Sequence, residues 1–145
     1  MFNNISHMML YVRDQDEAKD YYVSTLGMEL GDDVPFGEDF RWLTVHLPGQ
    51  SDTRICLMPP HAGKEPELAK RVGELLALGG LMGGILTTED CHAAYAQLRS
   101  RGVEFSEEPT ERFYGIDCGF RDPSGNPWRL TQPAPVGSAP EALSA

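Results

Sequence analysis

Arg129 lies in Trp128-Arg129-Leu130, between two residues suited to a core. A guanidinium there can clamp a ligand carboxylate, phenolate or phosphate through a bidentate fork, or pair with an internal acid such as Asp117. His7 offers an imidazole, the side chain that exchanges protons near neutrality, and is a candidate general base or a hydrogen-bonding group within a cavity. Cys56 is a nucleophile if a neighbouring cation lowers its pKa, and otherwise a small buried hydrophobe. No Ser/His/Asp or Cys/His constellation is legible from spacing, and no Gly-rich phosphate loop is present. His46, His61 and His92 read as surface or strand-end residues.

Aromatic and sulfur-bearing residues supply the rest of a candidate binding surface. Phe40-Arg-Trp-Leu-Thr-Val-His46 alternates, so with Leu43, Val45 and Leu47 in the core, Trp42, Thr44 and His46 face the other way. Trp42 would stack a planar ligand or simply pack, and Tyr114 before Gly115 is a similar case. Met9, Met58 and Met82 suit an adaptable lining or, each taken singly, ordinary core use.

Composition narrows the classes open to such a surface. The chain has 145 residues, 41% hydrophobic and 23% charged, enough for one domain with a continuous core. The net charge of −10 repels phosphate backbones, which argues against nucleic acid, and steers cationic small molecules inward. No stretch has the ~18 apolar residues of a membrane span, and the N-terminus lacks the pattern of a signal peptide. Three cysteines without CxxC spacing suit a reducing cytoplasm.

These residues are carried by an alternation of short strands and helices. Ile5 to Val12 reads as a strand. Asp14 with Glu17 three residues on reads as a capping box, opening a helix that ends at Gly27. Strands are expected at 28–34, 40–47 and 53–58. Pro66 starts a connector helix whose apolar residues are Leu68, Val72, Leu75 and Leu76, and Gly79-Gly80 stops it. Met82 to Thr88 is a strand, Asp90 or Glu89 caps a helix to Gly102, and strands follow near 103–107, 112–121 and 127–132. The segment from Pro133 is a Pro/Ala/Ser-rich tail, read as mobile.

The halves repeat: His7 to Asp14 lies over Gly83 to Asp90, and Ile55 to Pro60 over Trp128 to Pro133. Two tandem βαβββ modules, 5–58 and 82–132, joined by a connector at 59–81, make one α+β domain over 1–132, with a tail at 133–145. Each helix covers one face of its sheet. Two such sheets, curved side by side, would enclose a cup for a small ligand.

This arrangement resembles the vicinal oxygen chelate superfamily of glyoxalase I, extradiol dioxygenases and the bleomycin- and fosfomycin-resistance proteins. The marks are the opening strand with His7, the run Asp14…Ala18…Tyr21-Tyr22…Leu26-Gly27, and the turn Phe120-Arg-Asp-Pro-Ser-Gly-Asn126. The resemblance implies a homodimer. It also implies, in metal-dependent members, four ligands from the first and last strand of each module. Carried over, those positions are His7, Cys56, Gly83 or Gly84, and Arg129. Glycine has no ligand atom and arginine no lone pair, so no metal and no cofactor are expected. Arg129 then stands in place of a metal ligand.

The expected function is a metal-independent small-molecule binder of resistance or sequestration type. It would take an aromatic or anionic metabolite or natural product with His7, Met9, Trp42, Cys56, Met58, Tyr114 and Arg129. The alternative is a metal-free isomerase or lyase with His7 as base and Arg129 as oxyanion partner. A metal-dependent glyoxalase- or dioxygenase-type enzyme is disfavoured by the residues themselves. The connector would serve as a lid or a dimer contact.

Overall fold

Apolar residues alternate along the first and last strands of each half, and that alternation sets the architecture. The computed structural model describes residues 1–137. In chain order it has β1 (His7–Tyr11), α1 (Gln15–Asp20), β2 (Glu29–Phe36), β3 (Phe40–His46), β4 (Arg54–Met58), α2 (Pro66–Ala77), β5 (Ile85–Thr87), α3 (Cys91–Ser100), β6 (Phe105–Arg112), β7 (Gly115–Arg121) and β8 (Pro127–Pro133). These form two four-stranded mixed sheets of order β1-β4-β3-β2 and β5-β8-β7-β6, so the expected pair of βαβββ modules is present. Residues 1–82 with 122–126 form one compact unit, and 83–121 with the chain from Pro127 form another.

In the first unit β1 and β4 run parallel, with Leu10 opposite Leu57 and Met9 opposite Cys56. Leu10, Val12, Leu43, Val45 and Leu57 are buried and form its core with Ala18 and Tyr22 of the helical segment. Burying each large apolar side chain contributes about 1.5–3 kcal/mol. Asp14 caps α1 by accepting from the Glu17 amide at 2.8 Å. The reciprocal half of the capping box is absent. The Glu17 carboxylate is taken by Arg13, which donates from Nε at 2.7 Å and Nη2 at 2.9 Å, because a bidentate fork one turn away outcompetes a single amide. After Asp20 the helix widens into a π-helical turn over Tyr21–Thr25, and Gly27, at φ 80°, reverses the chain.

The turn between β7 and β8 belongs to the first unit and is heavily bonded. Asp122 accepts from the Tyr22 hydroxyl at 2.6 Å, the Asn126 amide at 2.8 Å and Asn126 Nδ2 at 2.9 Å. Asn126 Nδ2 also donates to the Tyr11 carbonyl at 2.7 Å, and the Arg13 amide donates to Ser124 Oγ at 2.9 Å. The turn signature is therefore a clasp on β1 and the helical segment, beyond its role as a bend.

In the second unit Trp128 and Leu130 point with Cys118 and Phe120 into a core that includes Cys91 and Val103. Asp90 caps α3 by accepting from the Ala93 amide at 2.9 Å.

Several expectations are corrected. β1 starts at His7, and Ile5 outside it is 65% exposed. The strand expected from Met82 shrinks to Ile85–Thr87, because Gly83 and Gly84 lie beneath Trp128, with backbone bonds only to Pro127 and Arg129. β6 runs to Arg112 and β7 begins at Gly115, which leaves Phe113 and Tyr114 in the hairpin turn. Leu47 lies past the end of β3 and is exposed, whereas His46 at the strand end is buried. On α2, Leu76 is buried but Leu68 and Leu75 are half-exposed, so that helix does not seat its whole apolar stripe. β8 extends to Pro133, and residues 138–145 of the expected tail lie outside the described residues.

Candidate functional site: the sheet faces opposite the helices

Register decides which side chains share a face. Met9 pairs with Cys56 and Cys56 with Thr44, so all three project to the side away from Leu10 and Leu57. His7 and Met58 have the same parity on β1 and β4, and Trp42 is two residues from Thr44. Val34 pairs with Trp42 and Phe36 with Phe40, which brings the far strand onto this face as well. The open face of the first sheet therefore unites five of the seven expected residues: His7, Met9, Trp42, Cys56 and Met58.

The rings on this face form a continuous floor. His7 and Trp42 lie 5.7 Å apart between centroids, tilted by 54°. Phe36 stacks on Phe40 at 5.1 Å and lies 6.1 Å from Trp42. Phe36 is 56% and Met9 58% exposed, on the two edge strands of one face, a large apolar exposure. The His7 imidazole meets the Ser6 hydroxyl through Nδ1 at 2.9 Å, a partner that orients it without supplying the carboxylate that usually backs a catalytic base. On the neighbouring strand, His7's register partner Arg54 donates to Asp32 at 2.8 Å, and Thr44 bonds the same acid.

Phe36 and Val34 were not among the expected site residues. The strand expected over 28–34 leaves Phe36 outside it. Pro35 is tolerated because β2 is an edge strand, where an amide donor is dispensable. The signal that finds them is the Val34-Pro-Phe36 alternation opposite Phe40-Arg-Trp42.

Cys56 is fully buried, and burial, with a smaller contribution from Asp32, pushes its thiol up to about 11. It is a protonated thiol at neutral pH, which supports the packing role and removes the nucleophile.

Arg129 and Tyr114 belong to the second unit. Gly119 pairs with Arg129 and Asp117 with Thr131, so Asp117, Gly119, Arg129 and Thr131 share the face opposite Trp128 and Leu130. Arg129 takes the second of its two expected roles: Nη2 donates to both Asp117 Oδ1 and Glu107 Oε1. Nε reaches Asp117 Oδ2 at 3.3 Å, and Thr131 donates to that oxygen at 2.9 Å. Burial would raise the Asp117 carboxyl, but Arg129, Thr131 and the Tyr114 side chain outweigh it and hold the group below the usual carboxylate range. The same carboxylates hold the Arg129 guanidinium firmly protonated. Glu107 escaped sequence reasoning because register shifts on both sides of it in β6 break the parity count.

The four positions that hold an ion in metal-dependent relatives do not fit one here. His7 brings one imidazole, Cys56 a buried thiol and Arg129 a cation without a lone pair. The remaining position has no side chain and no room for one. A Cβ on Gly83 would come within 2.7 Å of the Trp128 ring, and one on Gly84 within 3.0 Å. Among the described residues no group of three or more His, Cys, Asp or Glu side chains is arranged to hold a metal.

Paired βαβββ modules with a ring-lined open face define a glyoxalase-like class of fold. Within it the assignment is direct: the chain belongs to the Glyoxalase/Bleomycin resistance protein/Dioxygenase superfamily, whose family model matches residues 4–130. It is similar to an uncharacterized protein of Shewanella frigidimarina, 34% identical over 91% of this chain and 95% of the other. Among solved structures it resembles UcmS2, with TM-score 0.84 and 36% identity over 90% of this chain and 98% of that one. TnmS3, an antibiotic binding protein from Streptomyces sp. CB03234, aligns with TM-score 0.72 and 34% identity over 92% of this chain and 98% of its own.

Proposed function

We propose that the chain is a metal-independent small-molecule-binding protein of resistance or sequestration type. It holds an aromatic metabolite or natural product flat against the open face of the first unit's sheet. The observation that carries this reading is the ring floor of His7, Trp42, Phe36 and Phe40, with Met9 and Phe36 left more than half exposed. Aromatic surface next to flexible thioether suits a planar guest of variable outline. An anionic guest would need a cation with free donors. Arg54, which shares this face as the register partner of His7, directs Nη1 at Asp32, so the face favours the aromatic character of the ligand over a negative charge. The donor set at the four metal positions supports independence from metal, and the antibiotic-binding relative supports the ligand class. The reading includes a homodimer in the cytoplasm, for which exposed Met8, Met82 and Ile85 and three free cysteines are the support.

The test is a thermal-shift screen of planar aromatic metabolites and natural products in the presence of a chelator, followed by recovery of each hit. Binding protein behaviour returns the ligand unchanged. Conversion of the ligand, abolished by His7→Ala with binding intact, would replace this reading with the metal-free enzyme.

A further inference from the structure

The face of an aromatic ring is its negative pole, so Trp42, Phe36 and Phe40 together attract positive charge to the first unit's floor. The formal charges around the rings have the same sign. Glu38 and Asp39 lie exposed in the turn that joins Phe36 to Phe40, and among the described residues neither carboxylate has an ion-pair partner. At the far end of β2, Glu29 is more than half exposed, and the group nearest its charge is the His46 imidazole at 3.8 Å. Arg54, the guanidinium on this face, is neutralised by Asp32. The excess extends through the unit, which has fourteen Asp and Glu against seven Lys and Arg. Arg13, Lys19, Arg41, Arg54 and Arg71 are each tied to a carboxylate, and Lys64 lies over the Tyr11 ring at 4.3 Å. That leaves Lys70, exposed on α2.

We propose that the guest of this floor is a cationic aromatic, with its positive charge on or directly beside the ring system, as in an N-alkylated heteroaromatic. Trp42 meets that charge with the face of its indole, the strongest cation–π partner among the side chains. Glu38 and Asp39 act through their field: they raise the local concentration of cations at the floor and turn anions away, over a range that salt shortens to about 8 Å at physiological ionic strength.

This inference rests on the ring floor being the ligand site, and the experiment separates the two. The full chain is titrated with three probes of one outline and different charge: N-methylquinolinium, 1-methylnaphthalene and 1-naphthoate. N-methylquinolinium is expected to bind about fivefold or more tightly than the neutral isostere, and 1-naphthoate most weakly. Raised salt and the double variant Glu38→Gln, Asp39→Asn should each shrink the cation's advantage while leaving 1-methylnaphthalene binding unchanged. Both substitutions fall in an exposed turn, so the fold is preserved. Equal or tighter binding of 1-methylnaphthalene, or a cation preference that neither salt nor the double variant moves, overturns the inference and leaves the aromatic-binding reading standing. Failure of all three probes to bind overturns both.

Discussion

His7 and Trp42 meet at 5.7 Å although β1 and β3 are not neighbours: β4 runs between them, and the two rings bridge over it. That bridge is possible because the strand between presents the smaller Cys56 on the same face. The relationship makes a prediction about binding. Trp42→Ala removes the centre of the floor and should weaken a planar aromatic ligand at least tenfold, about 1.4 kcal/mol or more, near the upper end for one aromatic contact. His7→Ala should cost less, since its ring is at the floor's edge. Calorimetric titration of both variants checks the order.

The clasp at Asp122 makes a prediction about stability. Tyr22→Phe removes one of three donors to a buried carboxylate and should cost roughly 1–3 kcal/mol. Asp122→Ala removes the shared acceptor of the Tyr22 hydroxyl, the Asn126 amide and one Nδ2 hydrogen of Asn126, and should cost more. Urea unfolding midpoints at constant slope measure both, and equal stability of Tyr22→Phe and wild type would remove the clasp from the account.

Acid should destabilise the second unit through Asp117. Its folded carboxyl titrates below the ordinary range, so between the two pKa values the unfolded chain binds the extra proton. The stabilisation is complete above the ordinary carboxylate pKa and is lost as pH falls through that value toward the folded one. Asp117→Asn should flatten this acid limb. At neutral pH it should cost about 2 kcal/mol, less than the ~3–5 kcal/mol of a wholly buried pair, because 39% of the Arg129 side chain meets solvent. Stability measured from pH 7 downward tests both statements.

Thiol reactivity should be negligible in the native state. Cys56, Cys91 and Cys118 are all buried, and burial raises each thiol, Cys56 to about 11 and Cys118 to about 12. A disulfide reagent at pH 8 should therefore label none of the three within minutes and all three in denaturant. Rapid native labelling at Cys56 would reopen its role as a nucleophile.

Much of the fold was legible because local and long-range signals agree. The Asp14 and Asp90 caps, the glycines that close their helices and the repeat of His7–Asp14 in Gly83–Asp90 are each set within a few residues. The placement of Arg129 on the sheet face opposite Trp128 and Leu130 was legible too, since those two are apolar and suited to a core. What sequence reading missed depends on partners remote in the chain. Glu17 turned to Arg13 in a choice between two acceptable neighbours. Glu107 reached Arg129 only because bulges in β6 shift its phase. Phe36 joined the floor because Pro35 falls on an edge strand, and strand order is not a local property. The closure of Gly83 and Gly84 by Trp128 was likewise visible only in three dimensions. Their lack of side chains was plain, but the indole that occupies the space was not.

The most direct measurement is a fluorescence titration of Trp128→Phe, which leaves Trp42 as the one indole of two, with a planar aromatic ligand and excess chelator present throughout. Saturable quenching of Trp42, unchanged by the chelator, is the predicted result. Quenching that disappears when metal is removed, or saturable binding that leaves Trp42 emission untouched, would contradict a metal-free aromatic floor.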